Sequence, residues 1–446
     1  MARSMIPPAF FSPPTMAEPS SPPDWVLVDK MAYIAKRANA TTARCLSIGG
    51  DIVEVSFCLA DPPAISYLCV HCPGLVGLTD SGFFDVPTVV AAEGAFVLLE
   101  ISLSHDHGRR DYLVYKASAG KPQLSCLPNP FPHDISPWEI GILPLGGGDD
   151  GNSGFVVAAL VPRVESAINK TGPPFDLLLY YSAGGAREWR TVVPQLDDPS
   201  CEKKVFSHSS SKVIAIGGGF LGWVDVWRGI LLCNVLAEHP VLRLTPLPKP
   251  RISRTWKSNP EVVRGITSDG DNQLSFVEIQ LPKFPSDDLL PSQYDSTLSD
   301  SDSDSDSGTG GPYYPSHGWK ATTWKRTLFS PDGDHWSVDC TAGSDDILES
   351  DPTCSALLPQ LWDADDGRLS LMDLYSTAPV LSVHDDGVVY MISEPLTSDG
   401  EEAWVAAFDL RNKRLKALGP FSSKRISSFE NCCSPCSFSK YLGAAL

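Results

Sequence analysis

The sequence predicts an all-β protein, a β-propeller of about six blades, with five to seven blades compatible with the pattern. Short apolar runs with strand periodicity recur at roughly 8- to 12-residue spacing, with turn residues between them. The chain has 39 prolines and 35 glycines, and a helical period is hardly sustained outside residues 29–43, where one or two turns are expected. A chain of 446 residues is much longer than a typical β-sandwich, whereas blades of about 40 to 50 residues each would together account for a chain of this length.

The chain is expected to contain one folded domain between two different ends. Residues 1–23 hold seven prolines and predict a disordered, Pro/Ser-rich lead-in. Residues 24–430 predict the single propeller-like domain, and 431–446 a Cys- and Ser-containing C-terminal tail.

The strand patterns follow one another from residue 53 to the end of the domain. Two turns have the residues of β-hairpins, Asp386-Gly387 and "TSDGEEA" at 397–403. The predicted strands include "VEVSFCLA", "ISYLCVHC", "AFVLLEISL", "DYLVYKAS", "PQLSCLP", "FVVAALVPR", "FDLLLYYSAGG" and "EWRTVVP", and later "PVLSVHDDGVVYMIS", "EAWVAAFDL" and "RLKALGPF".

A low-complexity segment, "SDSDSDSDSGTGGP" at 299–312, interrupts the strand pattern. It has no apolar side chain to bury, so residues 283–316 predict a disordered acidic insertion. Strand-like "LSFVEIQL" and "GWKATTWKRTL" flank it, which places the insertion inside one blade. An EF-hand calcium loop is excluded, because Ser307 separates Asp306 from Gly308 and no Glu follows at the last ligand position.

The same segment offers candidate phosphorylation sites. An aspartate three residues downstream is the pattern that acidophilic kinases of the casein-kinase type favour, and each added phosphate would bring about −1.5 to −2 charges. An unmodified, solvated loop stays open as the alternative. The candidates are Thr297, Ser299, Ser301 and Ser303.

The net charge is −19 at pH 7, and it is unevenly distributed along the chain. Residues 332–402 hold 17 acidic side chains against Arg368 alone, and 295–306 add five acids without a base. From residue 411 onward the sign reverses, with seven Lys and Arg against Glu430. An acidic field repels phosphate backbones, so we expect no nucleic-acid binding and a protein partner that is basic. Solubility would also explain a charged surface, and that alternative stays open.

A glycine-rich stretch raises the question of a dinucleotide-binding loop. Gly217, Gly219 and Gly222 spell G-x-G-x-x-G after an apolar run, and Glu238 lies 21 residues after Gly217, near the spacing of a ribose-binding acid. However, "GWVDVW" at 222–227 alternates in polarity and continues as a strand, where the motif needs a helix. We therefore expect these glycines between two strands, where they permit positive φ and close packing, and we expect no cofactor.

The segment "LGWVDVWRGILLCNVL" at 221–236 resembles the signature of a plant family called domain of unknown function 1618, abundant in grasses. Other similar segments extend the resemblance from Pro23 to about Leu418, among them "PDWVLVDKMAYIAKRANATTARC" and "VVYMISEPLTSDGEEAWVAAFDLRNKRLKAL". The family name assigns no activity, so the resemblance implies no catalytic residues. It implies a propeller similar to F-box-associated and kelch-type propellers, although no F-box-like helical segment precedes the strands, which disfavours a ubiquitin-ligase adaptor. The signature residues are Trp223, Asp225, Trp227, Arg228 and Gly229.

Cysteines and histidines offer two further candidate sites. Cys69 and Cys72, with Cys432, Cys433 and Cys436, would supply enough thiolates for zinc if the chain ends meet. A strand would point Cys69 and Cys72 to opposite faces, so separate free thiols are favoured and no metal is expected. The cluster His105, Asp106, His107, Arg109, Arg110 and Asp111 lies between two strands and is interpreted as a polar hairpin loop rather than a metal or proton-transfer site.

These observations favour a binding or scaffold module for protein partners, without catalysis. The motifs of serine hydrolases, zinc metalloproteases and P-loop NTPases are absent from the sequence. The alternative is an enzyme whose site lies in the central channel near Asp225. Prolines interrupt the N-terminal apolar runs and no run is long enough to span a bilayer, so we expect a cytoplasmic or nuclear protein; a first stretch with Arg3 and no acid leaves an organelle transit peptide open. The oligomeric state is left open.

Overall fold

The apolar runs form short strands that are buried on both faces, because each sheet packs between two neighbouring sheets. The computed structural model describes residues 6–16, 19–75, 82–104, 109–146, 154–163, 166, 172–183, 188–251, 259–281, 318–330, 335–349, 357, 362–363, 368–369, 371–395, 403–422, 425 and 433–443. Within these ranges the chain is all-β, with six sheets arranged as the blades of a propeller. The predicted fold class is confirmed.

The first blade combines segments from both ends of the chain. In chain order its first strands are β1 (Val26–Asp29), β2 (Tyr33–Ile34), β3 (Ala43–Leu46), β4 (Ile52–Cys58) and β5 (Ile65–His71). Strand β5 pairs antiparallel with β4 and parallel with the two short N-terminal strands β1 and β2. The helical turns expected at 29–43 do not form, because Tyr33 and Ile34 pair with Cys69 and Val70 of β5.

Blades 2 and 3 are four-stranded antiparallel meanders. Blade 2 contains β6 (Thr88–Glu93), β7 (Phe96–Ser102), β8 (Arg110–Lys116) and β9 (Gln123–Cys126). Blade 3 contains β10 (Ile140–Leu145), β11 (Gly154–Pro162), β12 (Phe175–Tyr181) and β13 (Arg190–Val192).

Blade 4 has an extra outer strand, because a two-residue segment adds parallel to its edge. Its strands are β14 (Gln195–Leu196), β15 (Lys212–Gly217), β16 (Phe220–Asp225), β17 (Gly229–Asn234) and β18 (Val241–Pro246). Blade 5 contains β19 (Arg264–Ser268), β20 (Gln273–Gln280), β21 (Lys320–Thr327) and β22 (Ser337–Gly343). β20 and β21 pair along their whole length, so the two strands that flank the acidic segment belong to the same blade.

Blade 6 repeats the arrangement of blade 4, with a short outer strand parallel to its edge. Its strands are β23 (Leu348–Glu349), β26 (Leu374–Leu381), β27 (Val388–Pro395), β28 (Ala403–Asp409) and β29 (Arg414–Phe421), and β24 (Trp362–Asp363) pairs with β25 (Arg368–Leu369) separately. The predicted Asp386-Gly387 turn joins β26 and β27, whereas the second predicted hairpin turn lies largely outside the described residues.

Within the ranges that the structure describes, helices are few and short. The α-helix α1 spans Glu202–Phe206. The 3₁₀ helices span Pro8–Phe11, Pro199–Cys201, Pro260–Val262, Ser344–Asp346, Leu371–Asp373 and Phe438–Leu442.

The C-terminus closes the ring. The last strand, β30 (Cys433–Cys436), pairs antiparallel with β1, so it becomes the innermost strand of blade 1. Phe438 after it is fully buried, with its ring 4.7 Å from that of Phe57. Residues 433–442 are therefore part of the propeller and not the tail expected from the sequence, which showed no apolar run long enough to suggest a strand.

In the described residues, six hydrophobic core clusters each lie between a pair of adjacent blades. A seventh, smaller cluster packs Tyr33, Cys58, Tyr67 and Cys69 within blade 1. Trp223 lies between blades 3 and 4, Trp324 between blades 4 and 5, and Trp319 between blades 5 and 6. These tryptophans thus provide the inter-blade packing that the sequence predicts.

Part of the N-terminal lead-in contacts the propeller. Phe10 is buried, and its ring lies 4.7 Å from the Arg425 guanidinium, which stacks on Tyr33 from 3.7 Å. The Tyr67 hydroxyl donates to the carbonyl oxygen of Pro14. Residues 6–16 therefore lie along the outer part of blade 1.

Candidate functional site in the axial channel

The signature residues form the turn between β16 and β17 and the contacts that fix it. Trp223 is fully buried, and its indole N–H donates to the carbonyl oxygen of Glu139 in the preceding blade at 2.7 Å. Gly229 starts β17, where a Cβ atom would lie 2.6 Å from the carbonyl oxygen of Thr245. These two residues link blade 4 to blade 3 and bring its own strands close together.

The carboxylate of Asp225 accepts four hydrogen bonds that hold this turn. Oδ1 accepts the backbone N–H groups of Trp227 and Arg228 at 3.0 and 3.2 Å. Oδ2 pairs with Arg228 Nη1 at 2.9 Å and accepts the N–H of Ser209 at 3.2 Å. The side chain is buried and is not among the residues that line the central channel, so its role here is to stabilise the turn.

A buried ion pair joins the signature turn to blade 5. Arg264 Nε lies 3.0 Å from Glu278 Oε2, and both side chains are essentially inaccessible to solvent. Arg264 Nη1 also donates to the carbonyl oxygen of Val226 at 2.6 Å, and the guanidinium lies 5.3 Å from the Trp227 ring centre. Burial raises the pKa of Glu278, while Arg264 and Arg251 oppose that shift.

The glycine-rich stretch is a hairpin turn and not the start of a helix. β15 and β16 pair antiparallel on either side of it, and Gly217, Gly218 and Gly219 all have positive φ values, 106°, 59° and 87°. A Cβ atom on Gly217 would lie 2.0 Å from the carbonyl oxygen of Gly270 in the next blade. The expectation of glycines between two strands is confirmed, and the backbone geometry of a dinucleotide loop is absent from this hairpin.

A cavity on the axis is the candidate functional site, which we call the axial channel. It has a volume of about 410 Å³ and is bordered by the innermost strands of the blades. The six innermost strands run in the same direction, so the channel has one end where they begin and one where they finish. Its polar lining side chains are Lys30, Glu93, Lys212, Thr267, Ser268, Asp269, His384, Ser434, Ser437, Lys440 and Tyr441.

At the end where the inner strands begin, three charged side chains from separate blades meet; we call them the lysine mouth. Lys30 Nζ lies 4.0 Å from Glu261 Oε2, and Lys212 Nζ lies 4.0 Å from Glu261 Oε1. Lys30 follows β1 of blade 1, and Lys212 starts β15 of blade 4, on the opposite side of the ring. Burial lowers the pKa of Lys212 to about 8, which Lys30 reinforces and Glu261 opposes.

The other end of the channel holds a carboxyl group that is easily protonated. Burial raises the pKa of Glu93 to about 7, while the N–H of Gly94 and the charge of Lys440 pull it down. His384 Nε2 lies 3.1 Å from the Ser437 hydroxyl, and its ring stacks on Trp25. The channel thus contains an amine and a carboxyl group that both titrate near neutral pH.

The cysteines of the proposed zinc site do not form a cluster. Cys69 packs on the outer side of blade 1, where a hydrogen bond with the Cys58 thiol and burial raise its pKa, whereas Cys72 faces the core between blades 1 and 2. Cys433 and Cys436 likewise face different cores, and Cys432 lies outside the described residues. In the part of the chain that the structure describes, no three His, Cys, Asp or Glu side chains are grouped to hold a metal ion.

The polar hairpin loop is described only in part, because His105, Asp106 and His107 lie outside the described residues. Asp111 lies at the start of β8 and accepts the N–H of Ile48, which links blade 2 to blade 1. Arg110 pairs with Asp134 at 3.0 Å. The phosphorylation candidates Thr297, Ser299, Ser301 and Ser303 also lie outside the described residues.

Comparison with known proteins finds a family model that matches part of the chain. Residues 223–390 match the family described as Protein of unknown function (DUF1618). The DUF1618 match begins at Trp223 in β16 and extends over the rest of blade 4, blade 5 and the first strands of blade 6. It confirms the resemblance of the signature segment. No curated protein sequence matches the chain.

Among solved structures, the WD40 domain of SCAP from fission yeast is similar to this chain at 9% sequence identity and a TM-score of 0.31. The alignment covers 76% of this chain and 65% of that one, so it spans slightly less than two thirds of the known structure. Within the described residues, no helix is long and apolar enough to cross a membrane.

Lys30, Lys212, Glu261 and Glu93 were missed by sequence reasoning. They come from four distant segments and share no spacing, so only the closed ring brings them to one channel. The one available clue was a charged residue directly beside an inner strand, as Lys212 is in "SKVIAIG".

Proposed function

We propose that this protein is a non-catalytic binding module in which the propeller is a rigid scaffold for protein partners. The observation that supports this most is the closure of the ring by β30, which fixes the loops of each face relative to one another. The strand ends Gln280 and Lys320, which flank the acidic segment, lie on the same face as the signature turn and the lysine mouth. A partner would bind on this face, which we call the signature face.

The partner is proposed to be basic, and the ion pairs within the blades limit which acidic side chains are available to bind it. Much of the acidic stretch 332–402 that the structure describes is already paired, either between blades 5 and 6 or within blade 6. Those pairs are Asp339 with Arg411 at 2.7 Å, Asp346 with Lys413 at 2.9 Å, and Asp385 with Lys416 at 3.6 Å. The proposed attraction therefore rests on the five acids of residues 295–306.

Phosphorylation is proposed as the regulation of this interaction. Phosphates on Thr297, Ser299, Ser301 and Ser303 would add negative charge to the same segment and strengthen binding of a basic partner. Mass spectrometry of the protein from its source tissue tests this directly, because the four sites lie within one short stretch.

The experiment that tests the function starts with affinity purification on the full chain and ends with the purified partner. Changing the five acids Asp295, Asp300, Asp302, Asp304 and Asp306 to Asn should weaken binding and remove most of its dependence on salt concentration. A matched control changes five exposed acids elsewhere to their amides: Asp61, Glu188, Asp197, Glu238 and Asp271. Equal binding by both variants would exclude the acidic segment as the binding site, and a partner that binds equally at all salt concentrations would exclude the charge mechanism.

A second candidate function is an enzyme with its site in the axial channel, favoured by the near-neutral pKa values of Lys212 and Glu93, about 8 and about 7. Incubation of the protein with a metabolite extract, followed by mass spectrometry, tests it. A metabolite consumed by the native chain but not by a Lys212→Met/Glu93→Gln variant would replace the binding proposal with catalysis.

A further inference from the structure

The lysine mouth places two ammonium groups around a single carboxylate. Lys30 and Lys212 both lie 4.0 Å from Glu261, at the limit of an ion pair, and Glu261 also accepts the Ser211 hydroxyl at 3.4 Å. Lys30 and Lys212 line the axial channel, and their side chains are 24% and 17% exposed. One carboxylate cannot neutralise two ammonium groups, and the mouth carries one positive charge in excess.

This local positive charge contrasts with the net charge of the whole chain, which is −19. The channel lining adds Lys440 and the acids Glu93 and Asp269. Because burial raises the pKa of Glu93 to about 7, part of its negative charge is absent at neutral pH, and the channel is more positive than a count of formal charges suggests. A small anion that entered the channel would find compensating charge that the surface lacks.

We propose that the lysine mouth binds a small-molecule phosphate monoester, with its phosphate between Lys30 and Lys212 and its organic part in the axial channel. A dianionic phosphate matches two ammonium groups, which are common phosphate ligands. The cavity volume of about 410 Å³ lies within the range of small-molecule sites, whereas a bare ion would leave most of it empty. This site goes beyond the proposed protein-binding function and does not depend on it.

Binding at this position has a measurable link to protons. Burial holds the pKa of Lys212 near 8, and an anion beside it would raise that pKa, so binding at pH 8 takes up protons. The charged and titratable groups around Lys212 are Lys30 and Glu261 at the mouth and, along the channel, Glu93, Asp269, His384 and Lys440. Lys30 and Glu261 contribute charge next to Lys212, while the other groups line the rest of the channel.

Titration calorimetry of the full chain with glycerol 3-phosphate and with inorganic phosphate tests the proposal. At pH 8, in two buffers with different ionisation enthalpies and at constant ionic strength, we expect glycerol 3-phosphate to bind with proton uptake. Lys212→Gln should weaken binding about 10-fold or more, since a charge-assisted contact is lost. Lys121→Gln, at an exposed lysine, is the matched control and should leave affinity unchanged.

Two more variants separate an anion site from a purely structural ion triad. Glu261→Gln removes the internal competitor and should raise the affinity for glycerol 3-phosphate several-fold. Lys212→Arg should retain binding but lose the proton uptake at pH 8, because a guanidinium does not titrate there. The proposal would be overturned if Lys212→Gln bound glycerol 3-phosphate as tightly as Lys121→Gln does. It would also be overturned if Glu261→Gln left the affinity unchanged, or if the protein bound inorganic phosphate but not glycerol 3-phosphate.

Discussion

At the scale of single residues, Arg264 shows how the DUF1618 match region stabilises a blade boundary. Its guanidinium pairs with Glu278, donates to the backbone of the signature turn, and lies 4.6 Å from the Phe276 ring centre. A buried charge of this kind stabilises only while its partner is present, because each ion has lost its hydration. The pair should therefore behave as a unit in mutagenesis.

We predict that Arg264→Met destabilises the protein by about 3 to 5 kcal/mol, because Glu278 is then left buried and unpaired. The double variant Arg264→Met/Glu278→Met should recover much of that loss, since neither charge remains in the core. Urea unfolding of both variants and of Glu278→Met checks this. A double variant as unstable as the sum of the two single ones would show that the residues act independently.

Glu93 should make the protein less stable as the pH rises. Its pKa is raised from 4.5 to about 7, so its stabilising effect is complete below pH ~4.5 and is lost as the pH rises to about 7. Glu93→Gln should therefore reduce the loss of stability between pH 5 and pH 8 by up to about 3 kcal/mol. Thermal unfolding across this range measures the effect. Glu188→Gln, at an exposed position, should leave the pH profile unchanged, and a parallel profile for Glu93→Gln would contradict the burial of this carboxyl group.

At the scale of elements, the hairpin of β15 and β16 contacts the next blade through its backbone. Gly217 has φ 106° and lies against the carbonyl oxygen of Gly270, whereas Gly50 has φ 92° and no atom within 4 Å of the place where a Cβ atom would lie. Both sites impose the same backbone strain on alanine, about 1 kcal/mol or more. We predict that Gly217→Ala costs at least about 2 kcal/mol more than Gly50→Ala, because the hairpin must move away from blade 5. Equal losses in chemical denaturation would mean that the two blades do not touch at this point.

The strands that the sequence predicts are those with long apolar or alternating runs. The run "ILLCNVL" became β17 because both of its faces meet neighbouring blades, and Asp386-Gly387 became a hairpin turn because Gly387 has φ 78°. Local chemistry determines both features, so no knowledge of the rest of the chain is needed.

The features that the sequence does not reveal depend on contacts between distant segments. β30 is only four residues, "CSPC", and is a strand because β1 offers it a free edge more than 400 positions earlier in the chain. The lysine mouth requires residues 30, 212 and 261 to meet, and periodicity carries no information about such a meeting. The family resemblance located the signature turn but not the channel.

At the scale of the whole molecule, acidic and basic segments that are separate in the sequence form ion pairs with each other in the folded protein. The basic segment after residue 411 lies against the acidic stretch before it, and Arg411 contacts both Asp339 and Asp386. Lys325 joins the same network through Asp386. The sequence alone suggested an acidic surface for a partner, whereas the fold uses much of that charge to join blades 5 and 6.

If the C-terminus closes the ring, weakening this closure should reduce protection from hydrogen exchange near β30 and β1 rather than throughout the propeller. Phe438 and Phe276 are both fully buried phenylalanines, but the first lies beside β30 and β1 and the second between blades 4 and 5. Phe→Leu at either site should cost about 1 to 2 kcal/mol. Because each blade contacts mainly its neighbours, hydrogen exchange should increase in β1, β5 and β30 for Phe438→Leu and in blades 4 and 5 for Phe276→Leu. If both variants instead raised exchange evenly around the ring, the blades would unfold as one unit, and pairing of β30 with β1 would not be a separate step in holding the ring closed.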